Sequence, residues 1–335
     1  MKKYSKIVGT LLPAFAMALL ASCTDIESIE VNRPGIDEQY PELYAKYLQN
    51  LNEYKSSESH KVTYAWFDNS VKTPYSRGQH LSDIPDSLDV VSVMYPADLA
   101  DFEIEDMAVV RAKGTKVVYT VSFDDIQKEY SDKVKESVET GTFATYLKAE
   151  VDKQMGYESS FDGMIVEYKG QSPVYMSEEV KAEVKANQDI FFDAVMNWKN
   201  GHTDKMLTFQ GHPENLIGQN VLTECRHIIL ETDKLEDVQQ MSVVARQAMI
   251  SKDVPADRFV VAVSTVSMDA TDSKTGYFGT MRALKEAAYW VTESSADYTR
   301  AGIAIYNIQN DYYNADAIYP CVKEAINIMN PAPIK

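Results

Sequence analysis

Cysteine is scarce in this sequence of 335 residues, which contains only Cys23, Cys225 and Cys321. Cys225 and Cys321 are far apart and have no metal-ligand spacing, and the five histidines form no HxxxH motif. A disulfide scaffold and a zinc site are therefore not expected, and we predict two buried free thiols. With no motif for an organic cofactor either, the sequence predicts neither a cofactor nor a metal.

Positively charged residues are also fewer than negatively charged ones. The sequence has 33 Lys and Arg against 50 Asp and Glu, a formal net charge of −17. Such a surface repels a phosphate backbone, so nucleic acid is not expected as a partner. Hydrophobic residues make up 45% of the chain and aromatic residues 10%, which is enough for a large core.

Long apolar runs are absent except for residues 7–20, which follow three lysines and end in Leu20-Ala21-Ser22-Cys23. This run is too short to span a bilayer and has the order of a signal peptide. Its end resembles the bacterial lipobox, which implies lipidation of Cys23 and a membrane anchor there. A plain secretory signal with a chance cysteine is the alternative. We expect an outer membrane lipoprotein, and the acidic segment after Cys23 favours the cell surface over the periplasm.

Eight apolar, β-rich runs follow a polar tether and a first helical pattern. They alternate with amphipathic helical stretches such as 142–157, 176–201, 235–250 and 278–294. The runs are VTYAWF (62–67), DVVSVMY (89–95), KVVYTVSF (116–123), FDGMIVEY (161–168), KMLTFQ (205–210), HIILET (227–232), FVVAVSTVS (259–267) and AGIAIYNI (301–308).

Apolar strands alternating with helices indicate a parallel sheet that is buried on both faces. Eight such units predict an α/β fold, a single-domain (β/α)8 TIM barrel over residues 56–335. Residues 1–22 would be the lipoprotein signal peptide, and 23–55 the lipidated cysteine, tether and N-terminal helix. A doubly wound open sheet is the alternative, but no GxGxxG motif or P-loop follows any strand.

The fourth run carries a resemblance to a known family. FDGMIVEYK (161–169) resembles the DGxDxDxE signature of family 18 chitinases and endo-β-N-acetylglucosaminidases. The segments IPDSLDVVSVMY, AKGTKVVYTVSF, GYFGTMRALKEAAYWV and AGIAIYNIQNDYYN agree in order and spacing. Residues 40–330 look like lipoprotein members from gut Bacteroidetes, many of which are encoded beside outer-membrane glycan importers.

The signature itself is degenerate. Asp162 and Gly163 match its first two positions, whereas Ile165, Glu167 and Lys169 stand at the two inner aspartates and the catalytic glutamate. Strand alternation places these last three side chains on one face. The family mechanism needs that glutamate to protonate the glycosidic oxygen, and a lysine is a poor donor there. Loss of the acid alone should cost about 10²- to 10⁴-fold in rate, so we predict no catalytic residues.

Several alternatives remain open at this stage. A bulge could bring Glu167 to the acid position, or Glu224 or Glu231 could replace the acid from another strand end. Glu167 could instead merely pair with Lys169 as a salt bridge at the top of the barrel. The pair Asp162 and Gly163 could be a feature of the strand start rather than of catalysis.

Polar and aromatic residues near strand ends predict a sugar-binding groove. The predicted glycan-binding residues are Trp66, Tyr95, Glu167, Gln210, Tyr277, Tyr306, Asn307, Gln309 and Tyr312. Further candidates at strand ends are Phe123, Phe209, Asp311 and Tyr313. Any one of these rings could equally belong to the core.

The resemblance and its departures favour a catalytically inactive, surface glycan-binding lipoprotein. It would capture N-acetylglucosamine-containing glycans such as N-glycans and pass them to neighbouring glycosidases or to an outer-membrane importer. An active endo-β-N-acetylglucosaminidase with a non-standard acid is one alternative. A structural lipoprotein that binds protein partners is another.

Overall fold

The computed structural model describes residues 35–314 and 316–331. The predicted signal peptide, Cys23 and most of the tether lie outside the described residues. The chain divides into two compact units at Ala45 and Lys46. In the first, the described residues form α1 (Ile36–Gln39) and the start of α2 (Pro41–Lys55), which ends in the second unit.

The second unit contains a closed barrel of eight parallel strands. Each strand pairs with its sequence neighbours and the last pairs with the first, so the predicted (β/α)8 barrel is confirmed and the open sheet was wrong. All eight predicted runs form strands. They are β1 (Val62–Phe67), β2 (Val90–Val93), β3 (Lys116–Ser122), β4 (Gly163–Tyr168), β5 (Met206–Gly211), β6 (Ile228–Leu230), β7 (Phe259–Ser264) and β8 (Arg300–Tyr306).

Helices surround the barrel, and side chains of Ser122, Thr142 and Ser177 cap three of them by accepting backbone N–H groups. The stretch predicted as a helix over 278–294 first forms a short hairpin, Tyr277–Phe278 with Met281–Arg282. The helices are α3 (Asp101–Ala112), α4 (Phe123–Lys135), α5 (Phe143–Met155), α6 (Glu178–Gly201), α7 (Val221–Glu224), α8 (Gln239–Ala248), α9 (Ala283–Thr292) and α10 (Pro320–Met329).

Two separate cores follow from strand alternation. Inside the barrel a small cluster contains Tyr64, Trp66 and Ile165, with mainly β-branched and small side chains from the other strands. Between the strands and the helices lies a much larger cluster, which includes Met164 and Val166 of β4. Odd positions of β4 therefore face the barrel axis, as the sequence predicted, and Glu167 and Lys169 continue that row toward the carboxyl end.

The start of β4 shows why Asp162 and Gly163 stand there. The Asp162 carboxylate accepts hydrogen bonds from Arg111 Nε at 2.9 Å and from the backbone N–H of Val117 at 2.8 Å. A Cβ on Gly163 would lie 2.1 Å from the carbonyl oxygen of Met206, so β4 and β5 approach closely only with glycine. Asp162 thus links the start of β4 to β3, and Gly163 allows β5 to approach β4 closely. Both residues lie at the end of the barrel opposite the strands' carboxyl ends.

Cys225 is buried and Cys321 partly buried, and both are free thiols. In the described ranges no group of three or more His, Cys, Asp or Glu side chains is arranged to hold a metal ion. Among those same residues, no helix combines the length and apolar character needed to cross a bilayer.

Candidate functional site

Strand register places polar side chains side by side at the carboxyl ends of β3, β4 and β5. Ser122 pairs with Glu167, and Glu167 pairs with Gln210. Gln210 in turn pairs with Ile229, and Glu231 follows two residues later on the same inward row. Because parallel strands end together at one face of a barrel, these side chains form a single polar floor.

Gln210 is the centre of this floor. Its Nε2 lies 2.9 Å from Glu167 Oε1, 3.0 Å from Glu231 Oε1 and 2.7 Å from Tyr306 Oη. The Tyr306 hydroxyl also lies within donating distance of Glu231 Oε1, at 3.1 Å. Burial, and then the charges of Glu231 and Glu167, raise the pKa of Tyr306 well above its ordinary value, so the hydroxyl keeps its proton.

Lys169 joins the two glutamates. Its Nζ lies 3.0 Å from Glu167 Oε1 and 3.6 Å from Glu231 Oε2. The backbone N–H of Lys169 donates to Asp124 Oδ2 at 2.8 Å, which fixes the chain as it leaves β4. Although burial lowers the pKa of the Lys169 amine, the charges of Glu167 and Glu231 outweigh it and raise that pKa. The ammonium is therefore held charged between two carboxylates.

The pKa of the Glu167 carboxyl is also raised, and here the main cause is burial. Burial raises the pKa of its carboxyl, while Ser122 and Lys169 lower it and Glu231 raises it again. Removing water disfavours the charged carboxylate, and the nearby cation restores part of the balance. The salt bridge that the sequence raised as a possibility is present in the structure.

Two cavities open above this floor. The first has a volume of about 480 Å³ and the second about 880 Å³. Glu167, Gln210, Tyr306 and Asn307 line both, so the two cavities form adjoining halves of one groove across the carboxyl end of the barrel. The second half also contains Lys169, Glu231, Asp233, Lys234, Glu236, Lys274 and Tyr277.

Aromatic rings line the first half. The Trp66 and Tyr306 rings lie 4.5 Å apart at the inner wall, and Trp66 Nε1 donates to Thr120 Oγ1 at 3.1 Å. Trp66 is only 6% exposed, whereas Tyr95 at the rim is 48% exposed. Asn69 holds the backbone of Tyr95 on both its N–H and its C=O. Tyr95 is thus the accessible stacking surface, and Trp66 mainly supports Tyr306.

The structure brings seven predicted glycan-binding residues to the groove and leaves two outside both cavities, Gln309 and Tyr312. Tyr312 packs against Tyr313 and Tyr319, with ring centroids 5.2 and 5.5 Å away. The seven groove residues are Trp66, Tyr95, Glu167, Gln210, Tyr277, Tyr306 and Asn307.

The further strand-end candidates are also absent from both cavities. Phe123 and Phe209 are buried in the core between strands and helices. Asp311 accepts a hydrogen bond from the N–H of Val322 at the start of α10, and Tyr313 donates to Ser76. We therefore remove these four residues from the predicted groove.

The two candidate replacement acids, Glu224 and Glu231, lie at opposite ends of the barrel. Glu224 ends α7 before β6 begins and lines a cavity with Asp162, at the opposite end of the barrel, so its assignment to a strand end was wrong. Glu231 lies in the groove. Sequence reasoning missed Asp233, whose pKa is raised first by burial and then by the charge of Glu231. The HIILETD run contained the signal for it, an acidic residue two positions beyond Glu231.

Sequence reasoning also missed three carboxylates in the first half of the groove, Asp98, Asp125 and Glu129. Asp125 follows β3 in the Ser122-Phe123-Asp124-Asp125 run. The groove as a whole can stack a sugar ring, hydrogen-bond hydroxyl groups and hold charge. At residue 169, just beyond β4, it offers an ammonium paired with Glu167 and Glu231.

Comparisons with known proteins agree with this architecture. A model of the family described as Glycoside hydrolase family 18, BT1044-like, matches residues 24–328. A selenomethionine form of a BT1044 variant is 17% identical, with a TM-score of 0.63 and coverage of 88% of this chain and 95% of that one. No curated protein matches.

Two further solved structures are similar in fold. The apo endo-β-N-acetylglucosaminidase from Cordyceps militaris is 17% identical, with a TM-score of 0.58 and coverage of 85% of this chain and 95% of the other. A family 18 chitinase from Pseudoalteromonas aurantia is 12% identical, with a TM-score of 0.51 and coverage of 80% and 99%. With the family match over nearly the whole length, this chain belongs to glycoside hydrolase family 18, in its BT1044-like group.

Proposed function

We propose that this protein binds N-acetylglucosamine-containing glycans, such as N-glycans, in the groove at the carboxyl end of its barrel and does not cleave them. It would present the captured glycan to neighbouring glycosidases or to an outer-membrane importer. Family membership and the polar, partly aromatic groove support the choice of ligand class.

The observation that carries the proposal is the position of Lys169. The resemblance to the family signature aligns Lys169 with the acid, and its ammonium lies 3.0 Å from Glu167 and 3.6 Å from Glu231. A general acid needs a pKa near the working pH, and the two carboxylates move the pKa of this amine upward, away from that range. A fixed cation would also oppose the positive charge that develops on the sugar.

The groove contains both an aromatic ring and polar side chains, the two kinds of group that bind sugars. Tyr95 exposes a ring at the rim, and Glu167, Gln210 and Asn307 offer donors and acceptors on the floor. Sugar C–H faces stack on such rings, and hydroxyl groups bond to such side chains.

Changing Tyr95 to alanine should weaken glycan binding by about 1 kcal/mol, because an exposed stacking surface is lost without a change to the buried floor. Calorimetric titration with an N-glycan and with N-acetylglucosamine oligomers measures this. Tyr175→Ala is a suitable control, since Tyr175 is 91% exposed and lines neither half of the groove. Equal affinity of the Tyr95 variant and the wild type would remove the rim from the binding site.

We further propose that Cys23 carries the lipid and anchors the protein to the outer membrane with the groove at the cell surface. The sequence Leu20-Ala21-Ser22-Cys23 supports this. A Cys23→Ser variant should leave the membrane fraction and appear in the soluble fraction. Persistence of the variant in the membrane fraction would contradict the lipid anchor, and protease shaving of intact cells distinguishes surface from periplasm.

An active endo-β-N-acetylglucosaminidase is the second candidate, and Glu231 is the observation that favours it. Its carboxylate lies in the groove and is bonded to Gln210 and Tyr306. If Glu231 is the acid, the wild type cleaves an N-glycan and Glu231→Gln does not.

A further inference from the structure

We propose that Asn307 is a specificity-determining residue of the groove, and that its side-chain oxygen accepts a hydrogen bond from the sugar that lies where the two halves meet. The donor on the sugar is a hydroxyl or an acetamido N–H. This inference rests on the proposed function, because it assigns one contact within the same groove. Glycan capture by itself does not require that contact.

The backbone of Asn307 is the first observation. Its φ of 55° and ψ of 39° lie in the left-handed region. Among the described residues, the other non-glycine positions with positive φ are Ser137 and Tyr319, and neither lines the groove. Glycine takes this conformation more easily than asparagine, so the side chain is kept here at a conformational cost. Such a cost is typical of ligand sites and indicates a role for the side chain itself.

The orientation of the Asn307 amide is the second observation. The Ser264 hydroxyl donates its only proton to the carbonyl oxygen of Thr265, at 2.9 Å. Its oxygen must therefore accept from Asn307, whose Nδ2 lies 3.0 Å away. A flipped amide would place two acceptors against each other, so the nitrogen faces Ser264. The Thr265 hydroxyl also donates to the backbone carbonyl of Asn307 at 2.6 Å and holds the chain in place.

This arrangement leaves the Asn307 side-chain oxygen for a ligand. The amide donates to Ser264, and its oxygen accepts from no residue in the described ranges. Asn307 is exposed and lines both halves of the groove, as does its neighbour Tyr306. A sugar at this point therefore lies beside an aromatic ring and a fixed carbonyl acceptor. Either a hydroxyl or an acetamido N–H can donate to that acceptor.

The test uses Asn307→Gly, which removes the side chain and suits the same backbone conformation. Calorimetric titration with a β-1,4-linked N-acetylglucosamine oligomer should give an affinity about tenfold lower than that of the wild type, because one hydrogen bond to the ligand is lost. The thermal unfolding midpoint should stay within about 3 °C of the wild-type value, since relief of the backbone offsets the lost bond to Ser264. Ser264→Ala should weaken binding by about threefold, because the freed amide can turn its nitrogen toward the ligand.

Asn310→Ala is the matched control. Asn310 lies in the short turn Ile308–Asp311 and lines neither half of the groove, so this variant should bind as the wild type does. Titration with a β-1,4-linked glucose oligomer separates the two donors. An equal loss for both oligomers in Asn307→Gly identifies a hydroxyl, and a loss confined to the acetylated oligomer identifies the N–H.

Wild-type affinity in Asn307→Gly for both oligomers would overturn the inference and leave glycan capture standing. A large fall in the unfolding midpoint of Asn307→Gly would also contradict it, because the residue would then serve the fold. Failure of the wild type to bind the acetylated oligomer or a released N-glycan would reject the proposed function and this inference together.

Discussion

Lowering the pH from about 7 to about 4.5 should cost this protein roughly 2 kcal/mol of unfolding free energy through one histidine, His227. Burial, and then the charges of Arg226 and Arg258, lower the pKa of His227 to about 3. In the unfolded chain its pKa returns to its ordinary value near 6.5. Between these two values only the unfolded state binds the proton, so stability falls as the pH falls through this window.

The structure explains why His227 stays neutral. Its Nδ1 lies 2.8 Å from the Tyr64 hydroxyl, and its ring contacts the Tyr64 ring edge-on inside the end of the barrel opposite the groove. Urea unfolding of wild type and His227→Gln at both pH values measures the effect. The variant should lose about 2 kcal/mol less on acidification. Identical pH slopes for the two proteins would show that His227 is protonated in the folded state.

Replacing Lys169 with methionine should reduce the free energy of unfolding by about 2 kcal/mol at about pH 8. The ammonium is the cation between Glu167 and Glu231, and its loss leaves two facing carboxylates uncompensated. Because the Lys169 side chain is 39% exposed, water offsets part of the penalty that a fully buried pair would show.

The difference in unfolding free energy between this variant and the wild type should become smaller in acid. With Lys169 gone the pKa of Glu167 rises further above its unfolded value, so the destabilisation is full above the folded pKa and fades as the pH falls through it. Lys185→Met is the matched control, since its pair with Asp189 is exposed on a helix, and it should change stability by less than about 0.5 kcal/mol. A loss in the Lys169 variant that is equal at about pH 8 and pH 5 would contradict this electrostatic account.

Much of the fold could be predicted from the sequence because a closed parallel barrel leaves a strong pattern. Strands buried on both faces become continuous apolar runs, and all eight runs became strands. The hairpin Tyr277–Phe278 with Met281–Arg282 was not predicted, because two-residue strands have no periodicity to detect. Helix-forming residues around it suggested one longer helix.

The site was predictable where it follows strand register and unpredictable where it depends on loops. Glu167, Gln210 and Tyr306 lie on strands, so alternation alone directed them inward. Gln309 and Tyr312 follow Asn307, which has a left-handed φ of 55°. A short 3-10 turn, Ile308–Asp311, follows it, so the strand alternation that ends at Tyr306 does not extend to these two residues. Asp98 lies on the loop that follows β2, where no strand alternation indicates which side chains face the groove.

We propose that the groove captures a glycan and that Lys169 prevents its hydrolysis. The most direct measurement incubates the purified protein with a released N-glycan and follows binding by calorimetry and product formation by mass spectrometry in the same samples, with Glu231→Gln alongside. We expect saturable binding to both proteins and no cleaved product. Cleavage by the wild type that Glu231→Gln abolishes would contradict the claim and identify an active hydrolase.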